Sequence, residues 1–268
     1  MKYFIAHTAY DGTRYAGWQV QPDKNSIQEI IESRLEKLCG TFTRIIGAGR
    51  TDAGVHALDQ AFHFKLDTRL DAPDIHKGLN ALLPDDIIIT SLEPCSPDFH
   101  ARFSAEGKHY MYLIRQGARP GLWSRSYSLL VKKPLDIEYL STAARYFIGT
   151  HNFKPFSANA KRPNEQFERT ITDFRIDHIP PFIVFNVLGK SFLYKMVRMM
   201  AGTLLRIAHK NEPCDYIARV FSDPERFKAG PAAPAHGLTL MKTFYTLPLE
   251  LPSREDIHNI LPKNDVLI

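Results

Sequence analysis

The chain has 268 residues, of which 44% are hydrophobic and 24% are charged, and it carries a net charge of +5 with a pI of about 9.0. This composition is typical of a globular protein with one large or two ordinary domains, and the mild positive charge is compatible with a polyanionic partner without requiring one. Three widely spaced cysteines exclude a disulfide framework and favour the reducing cytoplasm, and no apolar run approaches the roughly 20 residues of a membrane-spanning helix.

The first half of the sequence predicts alternating strands and helices. A strand at residues 2–10 precedes a helix that starts after Ser26, where Glu29 completes a capping-box pattern, and that stops at Gly40. The other predicted elements are strands at 42–46 and 58–66, a helix at 74–83 and a strand at 86–92. This β-α-β-β-α-β order is the ferredoxin-like pattern.

The second half predicts the same coarse order after an irregular, proline-bearing segment at 94–102. The predicted elements are a strand at 108–116, a helix at 136–148, a strand hairpin at 171–179 and 182–188, helices at 193–210 and 213–221, and a strand at 237–247. The fold class is therefore α+β. We expect two α/β halves, residues 1–105 and 106–247, followed by a C-terminal tail at 248–268.

The loop between the second and third predicted strands is the strongest candidate for chemistry. It runs from Gly47 to Ala57 and holds three glycines, Arg50 and Asp52. A carboxylate beside a guanidinium stays ionised, as a nucleophile or general base requires. On spacing alone, a plain turn capped by Asp52 is an equally good interpretation. Dinucleotide and phosphate-loop interpretations fail, because the third glycine comes two residues too late and no Lys-Ser or Lys-Thr follows Gly54.

Six segments resemble, in the same order, the motifs of one enzyme family. The run Gly49–Ala57, G-R-T-D-A-G-V-H-A, resembles the active-site motif of the TruA-type tRNA pseudouridine synthases, the anticodon-arm family. The other five are Tyr10–Gln19 (YDGTRYAGWQ), Asp98–Ala105 (DFHARFSA), Lys108–Tyr112 (KHYMY), Phe192–Arg198 (FLYKMVR) and Ala233–Leu240 (APAHGLTL). The resemblance covers about residues 1–247 and leaves out the tail.

This resemblance implies a fold, a reaction and partners. The two ferredoxin-like halves would form one continuous, mostly antiparallel sheet with the active site in a central cleft. The protein would isomerise uridine to pseudouridine in the anticodon stem-loop of tRNA, at positions 38–40, with no cofactor because the reaction has no redox step. It would act as a cytoplasmic homodimer on tRNA, without a membrane, a metal or a nucleotide cofactor.

The resemblance also implies two catalytic residues, Asp52 and Arg198. Asp52 would attack the sugar or the base, or help to deprotonate the sugar, and the sequence does not choose among these routes. Arg198 would hold the carboxylate of Asp52 with its planar fork of donors. Without the resemblance, Arg198 is interpreted as a solvated charge on a helix.

Three further residues are implied to bind the substrate. Tyr110 would stack on the target base, Arg50 would steer the flipped nucleotide and Leu240 would wall the uracil pocket. Strand alternation places Tyr110 and Tyr112 on one face and does not decide which of them is core. For Leu240, a strand core residue is an equally good interpretation.

Basic residues scattered among aromatics predict a diffuse RNA-binding surface: Arg14, Lys24, Lys65, Arg102, Lys108, Lys154, Lys161, Arg162 and Arg169. The rival hypothesis is a catalytically idle RNA-binding or RNA-folding module of the same fold. It is disfavoured because a module without chemistry has no need to keep Asp52, Tyr110 and Arg198 together.

Overall fold

The structure is a computed structural model, and it describes residues 1–161, 163 and 166–262. Arg162, one of the basic residues predicted to contact RNA, and residues 263–268 of the predicted tail lie outside the described residues. The fold is α+β with mostly antiparallel strands, as predicted.

The strands and helices follow one another along the chain as β1 (Lys2–Tyr10), α1 (Ile27–Cys39), β2 (Ile46–Gly47), β3 (His56–Leu66), α2 (Ala72–Leu82), β4 (Ile87–Pro94), β5 (Gly107–Gln116), β6 (Leu129–Val131), α3 (Ile137–Ala144), β7 (Gly149–Asn152), β8 (Glu168–Ile179), β9 (Phe182–Gly189), α4 (Met196–Lys210), α5 (Tyr216–Ser222), β10 (Leu238–Phe244) and α6 (Arg254–Ile260).

The chain divides into two compact units. The first unit comprises Met1–Glu106 and Thr239–Leu247, and the second comprises Gly107–Leu238 and Pro248–Ile268. The segment Thr239–Leu247, which the sequence prediction counts in the second half, thus groups with the first unit. The reason is that β10 pairs in parallel with β3, Leu240 lying opposite Ala57.

The first unit has the predicted ferredoxin-like arrangement. Its strands lie in the order β4-β1-β3, with β2 antiparallel to β3, and β1 is antiparallel to both of its neighbours. Helices α1 and α2 contact each other, and α2 packs on β4. The core is rich in aromatic rings, among them the fully buried Trp18, Phe62 and Phe64.

The second unit is built on the strand order β5-β9-β8-β7, in which all neighbouring strands are antiparallel. The short strand β6 pairs in parallel with the end of β5. The core of the second unit contains a cluster of contacting rings from Phe147, Phe153, Phe156 and Phe221. The apolar face of α4 is buried in this core.

The structure confirms Ser26 as the N-cap of α1 and Gly40 as its end. The side chain of Ser26 accepts a hydrogen bond from the backbone N–H of Glu29, and Gly40 ends the helix in the left-handed region with φ of 74°. Both positions do what their residue types favour, since serine satisfies an N-terminal N–H and glycine adopts positive φ without strain.

The predicted strand at 42–46 is wrong in extent, because only Ile46 and Gly47 join the sheet. The reason is that α1 satisfies the backbone of Ile45 instead of a neighbouring strand. The carboxylate of Glu32 accepts from the Ile45 N–H at 3.0 Å, and the side-chain amide of Gln28 donates to the Ile45 carbonyl at 3.2 Å. A segment with high β propensity therefore hydrogen-bonds to side chains of α1 instead of pairing with a neighbouring strand.

Other boundaries also differ from the predictions. The helix predicted at 136–148 is α-helical only to Ala144 and ends in a 3₁₀ turn, and α4 starts at Met196 because Lys195 has φ of 59°. Strands β6 and β7 and helix α6 were not predicted. Helix α6 lies in the predicted tail and begins with a capping box between Ser253 and Asp256.

Candidate active site

The loop that carries Asp52 starts from a fixed base between β2 and β3. The N–H of Ala48 donates to the carbonyl of Ala61 at 2.8 Å, which continues the ladder beyond β2. The buried side chain of Gln60 donates to the carbonyl of Gly49 at 2.8 Å. Both bonds hold the chain just before Asp52, so the loop leaves the sheet in a defined direction.

Gly17 supports the backbone at Asp52 from the other side. The N–H of Trp18 donates to the carbonyl of Thr51 at 3.2 Å. Gly17 has φ of 97°, and a Cβ atom built on it would lie 2.4 Å from the Thr51 carbonyl oxygen and 2.9 Å from the Asp52 carbonyl carbon. Only glycine permits this approach, so Gly17 allows the segment 10–19 to pack against the loop.

The far side of the loop is held by the same segment. The N–H of Gly12 donates to Nδ1 of His56 at 3.1 Å, and the N–H of Gly54 donates to the carbonyl of Tyr15 at 3.3 Å. A Cβ atom on Gly12 would lie 2.0 Å from the carbonyl oxygen of Val55. The segment 10–19 therefore supports the loop both before and after Asp52.

Asp52 lies at the first position of a tight turn. Its carbonyl accepts from the N–H of Val55 at 3.1 Å, and Gly54 adopts φ of 76° within the turn. The preceding Thr51 is buried, and its hydroxyl shares a hydrogen bond of 2.8 Å with the phenol of Tyr10. The Asp52 side chain is partly exposed and Arg50 is exposed. The loop thus presents a carboxylate and a guanidinium from a fixed main chain.

Leu240, the third predicted site residue in the first unit, is fully buried in β10 opposite Ala57. This burial fits its interpretation as a strand core residue. Its role as a wall of the uracil pocket remains a prediction.

In the second unit, the two tyrosines of β5 are both buried but have different contacts. Tyr112 is fully buried, its hydroxyl donates to the carbonyl of Pro234 at 3.0 Å, and burial raises its pKa. Tyr110 lies opposite Val187 and packs edge to face on Phe192, with ring centroids 5.0 Å apart. Both rings are buried, Tyr110 being 7% exposed, so the assignment of Tyr110 to the substrate remains a prediction.

Arg198 lies in the first turn of α4, where a passing main-chain segment orients it. Its Nε donates to the carbonyl of Ala233 at 2.7 Å, and the Ala233 N–H donates back to the Arg198 carbonyl at 2.9 Å. A Cβ atom on Gly202 would lie 1.9 Å from the carbonyl oxygen of Pro231, so glycine is required for the segment to pass this close to the helix. The plane of the partly buried guanidinium is thereby fixed.

The five predicted site residues are distributed over both units. Arg50, Asp52 and Leu240 belong to the first unit, and Tyr110 and Arg198 belong to the second. In each unit, the structure gives the predicted residues a rigid main-chain support. The pairing of Arg198 with Asp52 and the stacking of Tyr110 on a base remain predictions.

The chain matches the sequence profile of the family described as tRNA pseudouridine synthase over residues 6–104 and 143–246. It belongs to that family. A pseudouridine synthase moves a base within one substrate molecule, so this family member is an isomerase.

Several bacterial relatives are similar over nearly their whole length. The tRNA pseudouridine synthase A 2 of Clostridium perfringens (strain 13 / Type A) is 40% identical over 239 residues, which cover 88% of this chain and 96% of the relative. The tRNA pseudouridine synthase A of Moorella thermoacetica is 40% identical over 239 residues, covering 88% of this chain and 97% of the relative. That of Chlamydia felis is 40% identical over 256 residues, covering 92% and 93%.

Sequence reasoning missed one residue that organises the site of this family member, Asp86 at the start of β4. Its carboxylate accepts from the hydroxyl of Tyr15 at 2.6 Å and from Nε of Arg14 at 3.1 Å, and its carbonyl accepts from the N–H of Asp11 at 3.0 Å. Burial, followed by this hydrogen bond, raises the pKa of Tyr15. No local signal distinguishes Asp86 from Asp85, because the partners lie more than 70 residues away.

Within the described ranges, no group of three or more histidine, cysteine or acidic side chains is arranged to hold a metal ion. No helix in the described part of this family member is long and apolar enough to cross a membrane. The three cysteines, all of which are described, form no disulfide.

Proposed function

We propose that this chain isomerises uridine to pseudouridine at positions 38–40 of the anticodon stem-loop of tRNA, with Asp52 as the nucleophile. Family membership supports the reaction and the substrate class. The observation that carries the assignment of Asp52 is its loop, which presents a partly exposed carboxylate from a main chain held on both sides. A preorganised and accessible carboxylate suits covalent catalysis.

The reaction needs no oxidant or reductant. The bond from N1 of uracil to C1′ of the ribose breaks, the base turns, and C5 forms a new bond to C1′ while its proton is lost and N1 gains one. The side chain of Asp52 serves each of the routes open to it: attack on the sugar, attack on the base, or removal of a proton from the sugar. No cofactor is therefore part of the proposal.

In the same proposal, Arg198 holds the Asp52 carboxylate and Tyr110 stacks on the uracil. The bond from Arg198 Nε to a main-chain carbonyl supports this role, because a guanidinium of fixed plane loses little freedom when it binds a carboxylate. The packing of Tyr110 on Phe192 supports the other role, since a ring that is already ordered stacks on a base at low entropic cost. The exposed Arg50 steers the flipped nucleotide, and the buried Leu240 closes the uracil pocket.

We also propose that the protein acts as a homodimer in the cytoplasm. The odd number and wide spacing of its three cysteines in the sequence support a reducing compartment. Light scattering coupled to gel filtration tests the dimer, which would have twice the mass of the 30.6 kDa chain.

The test compares wild-type protein with Asp52→Ala on tRNA transcribed without modifications. Pseudouridine is mapped along the anticodon arm by carbodiimide labelling and primer extension, and tRNA binding is measured separately. We expect Asp52→Ala to lower kcat by at least about 10³-fold, because removal of a nucleophile or general base removes the chemical step. The tRNA affinity should stay within about threefold, since phosphate contacts dominate it.

Asp67→Ala is the matched control, because its carboxylate is 87% exposed and contacts only the amino terminus among the described residues. It should leave both activity and affinity unchanged. If the wild type binds tRNA but marks no uridine, the proposal is overturned and the RNA-binding module becomes the better account. If Asp52→Ala retains activity, the nucleophile has been assigned to the wrong residue.

A further inference from the structure

The segment 100–104 of the first unit forms a rigid turn. Nδ1 of His100 accepts hydrogen bonds from the N–H groups of Arg102 and Phe103, at 3.2 and 3.3 Å. The N–H of Ser104 donates to the carbonyl of His100 at 2.8 Å, and the His100 N–H donates to the Ser104 hydroxyl at 3.2 Å. Four bonds within five residues leave the turn little conformational freedom.

The turn is fixed to the strands that carry the Asp52 loop. Ala101 is fully buried in a cluster with Ala48 and Ala61, and Ala48 lies four residues before Asp52. The Ala101 N–H donates to Nδ1 of His63 at 3.0 Å, and the hydroxyl of Tyr245 donates to the Ala101 carbonyl at 2.8 Å. The turn therefore moves with the base of the candidate active-site loop.

This rigid turn presents an aromatic ring to solvent. The side chain of Phe103 is 77% exposed, although it is large and apolar. Its ring lies 4.2 Å from the His100 ring with an interplanar angle of 32°, and His100 in turn lies 4.8 Å from His63. The guanidinium of Arg102 is 5.8 Å from the centre of the Phe103 ring. An exposed ring is thus supported by a second ring and accompanied by a cation.

We propose that Phe103 and Arg102 form a stacking platform for an unpaired base of the RNA substrate, an inference that rests on the proposed function. Unpaired bases are bound by aromatic faces, and a neighbouring arginine adds cation–π and phosphate contacts. A ring held by a rigid turn loses little entropy when a base stacks on it. The surroundings fit a nucleic acid better than a protein, because the neighbours of Phe103 are His100, Arg102 and Ser104 rather than a contiguous apolar patch.

The platform acts in binding and not in the chemical step. We therefore expect Phe103→Ala to weaken binding of an anticodon-arm hairpin by roughly 5- to 150-fold, which is the range for loss of one stacked base. It should raise KM correspondingly and leave kcat within about twofold. Phe103→Trp should retain the wild-type affinity, whereas Phe103→Leu should behave like alanine, since leucine keeps apolar area but offers no aromatic face.

Phe42→Ala is the matched control. Phe42 is also an exposed phenylalanine of the first unit, 52% exposed, and it also has an arginine near its ring, Arg44 at 5.3 Å. It does not belong to the turn at 100–104. This substitution should leave hairpin affinity and KM unchanged.

The experiment measures equilibrium binding of the unmodified hairpin and of a fully paired RNA duplex of equal length, at one salt concentration, together with pseudouridine formation. A loss confined to the hairpin supports the platform, because a duplex offers no unpaired base. Equal affinities of Phe103→Ala and wild type, in a wild type that forms pseudouridine, overturn this inference alone. A wild type that neither binds nor modifies RNA overturns both proposals. If Phe103→Ala instead halves the solution mass without selective loss of hairpin binding, the ring contacts a second copy of the chain and the platform is wrong.

Discussion

Two aspartates of this chain differ in burial and in the part of the fold that they serve. At Asp52, which is partly exposed, the main chain is fixed, because the carbonyls of Thr51 and Asp52 both accept hydrogen bonds. Asp177 is buried, and its carboxylate itself is held, because Oδ2 accepts from Nε of Arg175 and from the amide of Asn186, both at 2.9 Å. The main chain on either side of the proposed nucleophile is thus fixed by hydrogen bonds, and the buried carboxylate of Asp177 is itself part of the hydrogen bonding that stabilises the second unit.

The partners of Asp177 extend across the second unit. The carbonyl oxygen of the Asn186 side chain accepts from Nε2 of His109 at 2.9 Å, and Arg175 donates to the carbonyl of Pro252 at 2.6 Å. These four side chains, the buried polar chain, connect β5, β9 and β8 to the segment that precedes α6. Oδ2 of Asp177 and the side-chain carbonyl of Asn186 both have donors within this chain, as buried acceptors require.

The largest effect on stability should come from removing the carboxylate of Asp177 from the buried polar chain. Asp177→Ala leaves the side-chain amide of Asn186 and Nε of Arg175 without the acceptor that they share. We expect the free energy of unfolding to fall by about 3 kcal/mol, near the lower end for a broken buried pair because the Arg175 side chain is 33% exposed. Urea denaturation measures the loss, and Asp67→Ala, at an exposed position, should cost no more than about 0.5 kcal/mol. A loss below about 1 kcal/mol for Asp177→Ala would remove the contrast with Asp52.

A second effect on stability should come from His109, the member of the buried polar chain that lies farthest from Asp177. Burial lowers the pKa of His109 to about 4, with a smaller contribution from Arg175, whereas the unfolded residue titrates near 6.5. The contribution of His109 to the free energy of unfolding is complete above about pH 6.5. It is lost as the pH falls, and the loss amounts to about 3 kcal/mol by pH 4. His109→Gln removes the titrating group and keeps an N–H donor. Between pH 7 and pH 4, the unfolding free energy of the wild type should therefore fall more than that of this variant. Parallel curves of unfolding free energy against pH would contradict the assignment.

A smaller loss of stability, but a marked loss of activity, should follow from Gly17→Ala. A Cβ atom at Gly17 meets the carbonyl oxygen of Thr51 at 2.4 Å, so the backbone at Asp52 has to shift. We expect a cost of about 2 kcal/mol from the positive φ and the clash, and at least about a tenfold loss of kcat, since small misplacements of a reacting group are costly.

Gly40→Ala is the control for that variant. Gly40 also has a positive φ, 74°, but a Cβ atom there meets nothing within 4 Å. It should cost about 1 kcal/mol and leave kcat unchanged. An equal loss of kcat in the two variants would show that backbone strain, rather than contact with the loop, explains the effect of Gly17→Ala; no loss in either would contradict the prediction.

Local sequence signals predicted the elements that depend on local physics. The start of α1 at Ser26 and its end at Gly40 were predicted to the residue, because capping and positive φ are properties of a few neighbouring residues. The strand at 42–46 failed because two side chains of α1 replace its ladder partners. Periodicity carries no information about such a replacement.

The motifs of the candidate site could be predicted from the sequence, but the contacts that hold them in place could not. The segment 10–19 was recognised by resemblance, yet nothing in its letters indicates that Gly12 and Gly17 press against the loop around Asp52. The role of Asp86 was likewise invisible, because its partners come from a distant part of the sequence. The hydrogen bond from Tyr112 to Pro234 was invisible for the same reason, because these residues lie 122 positions apart in the sequence.

The pairing of β10 with β3 has a consequence for synthesis on the ribosome. The first unit receives Thr239–Leu247 only after the whole of Gly107–Leu238 has been made. Until then, the end of β3 at His56 and Ala57, directly after the Asp52 loop, lacks the strand that pairs with it in the finished protein. A nascent chain stalled before residue 239 would therefore expose an open strand edge, the kind of surface on which chaperones act and from which aggregation starts.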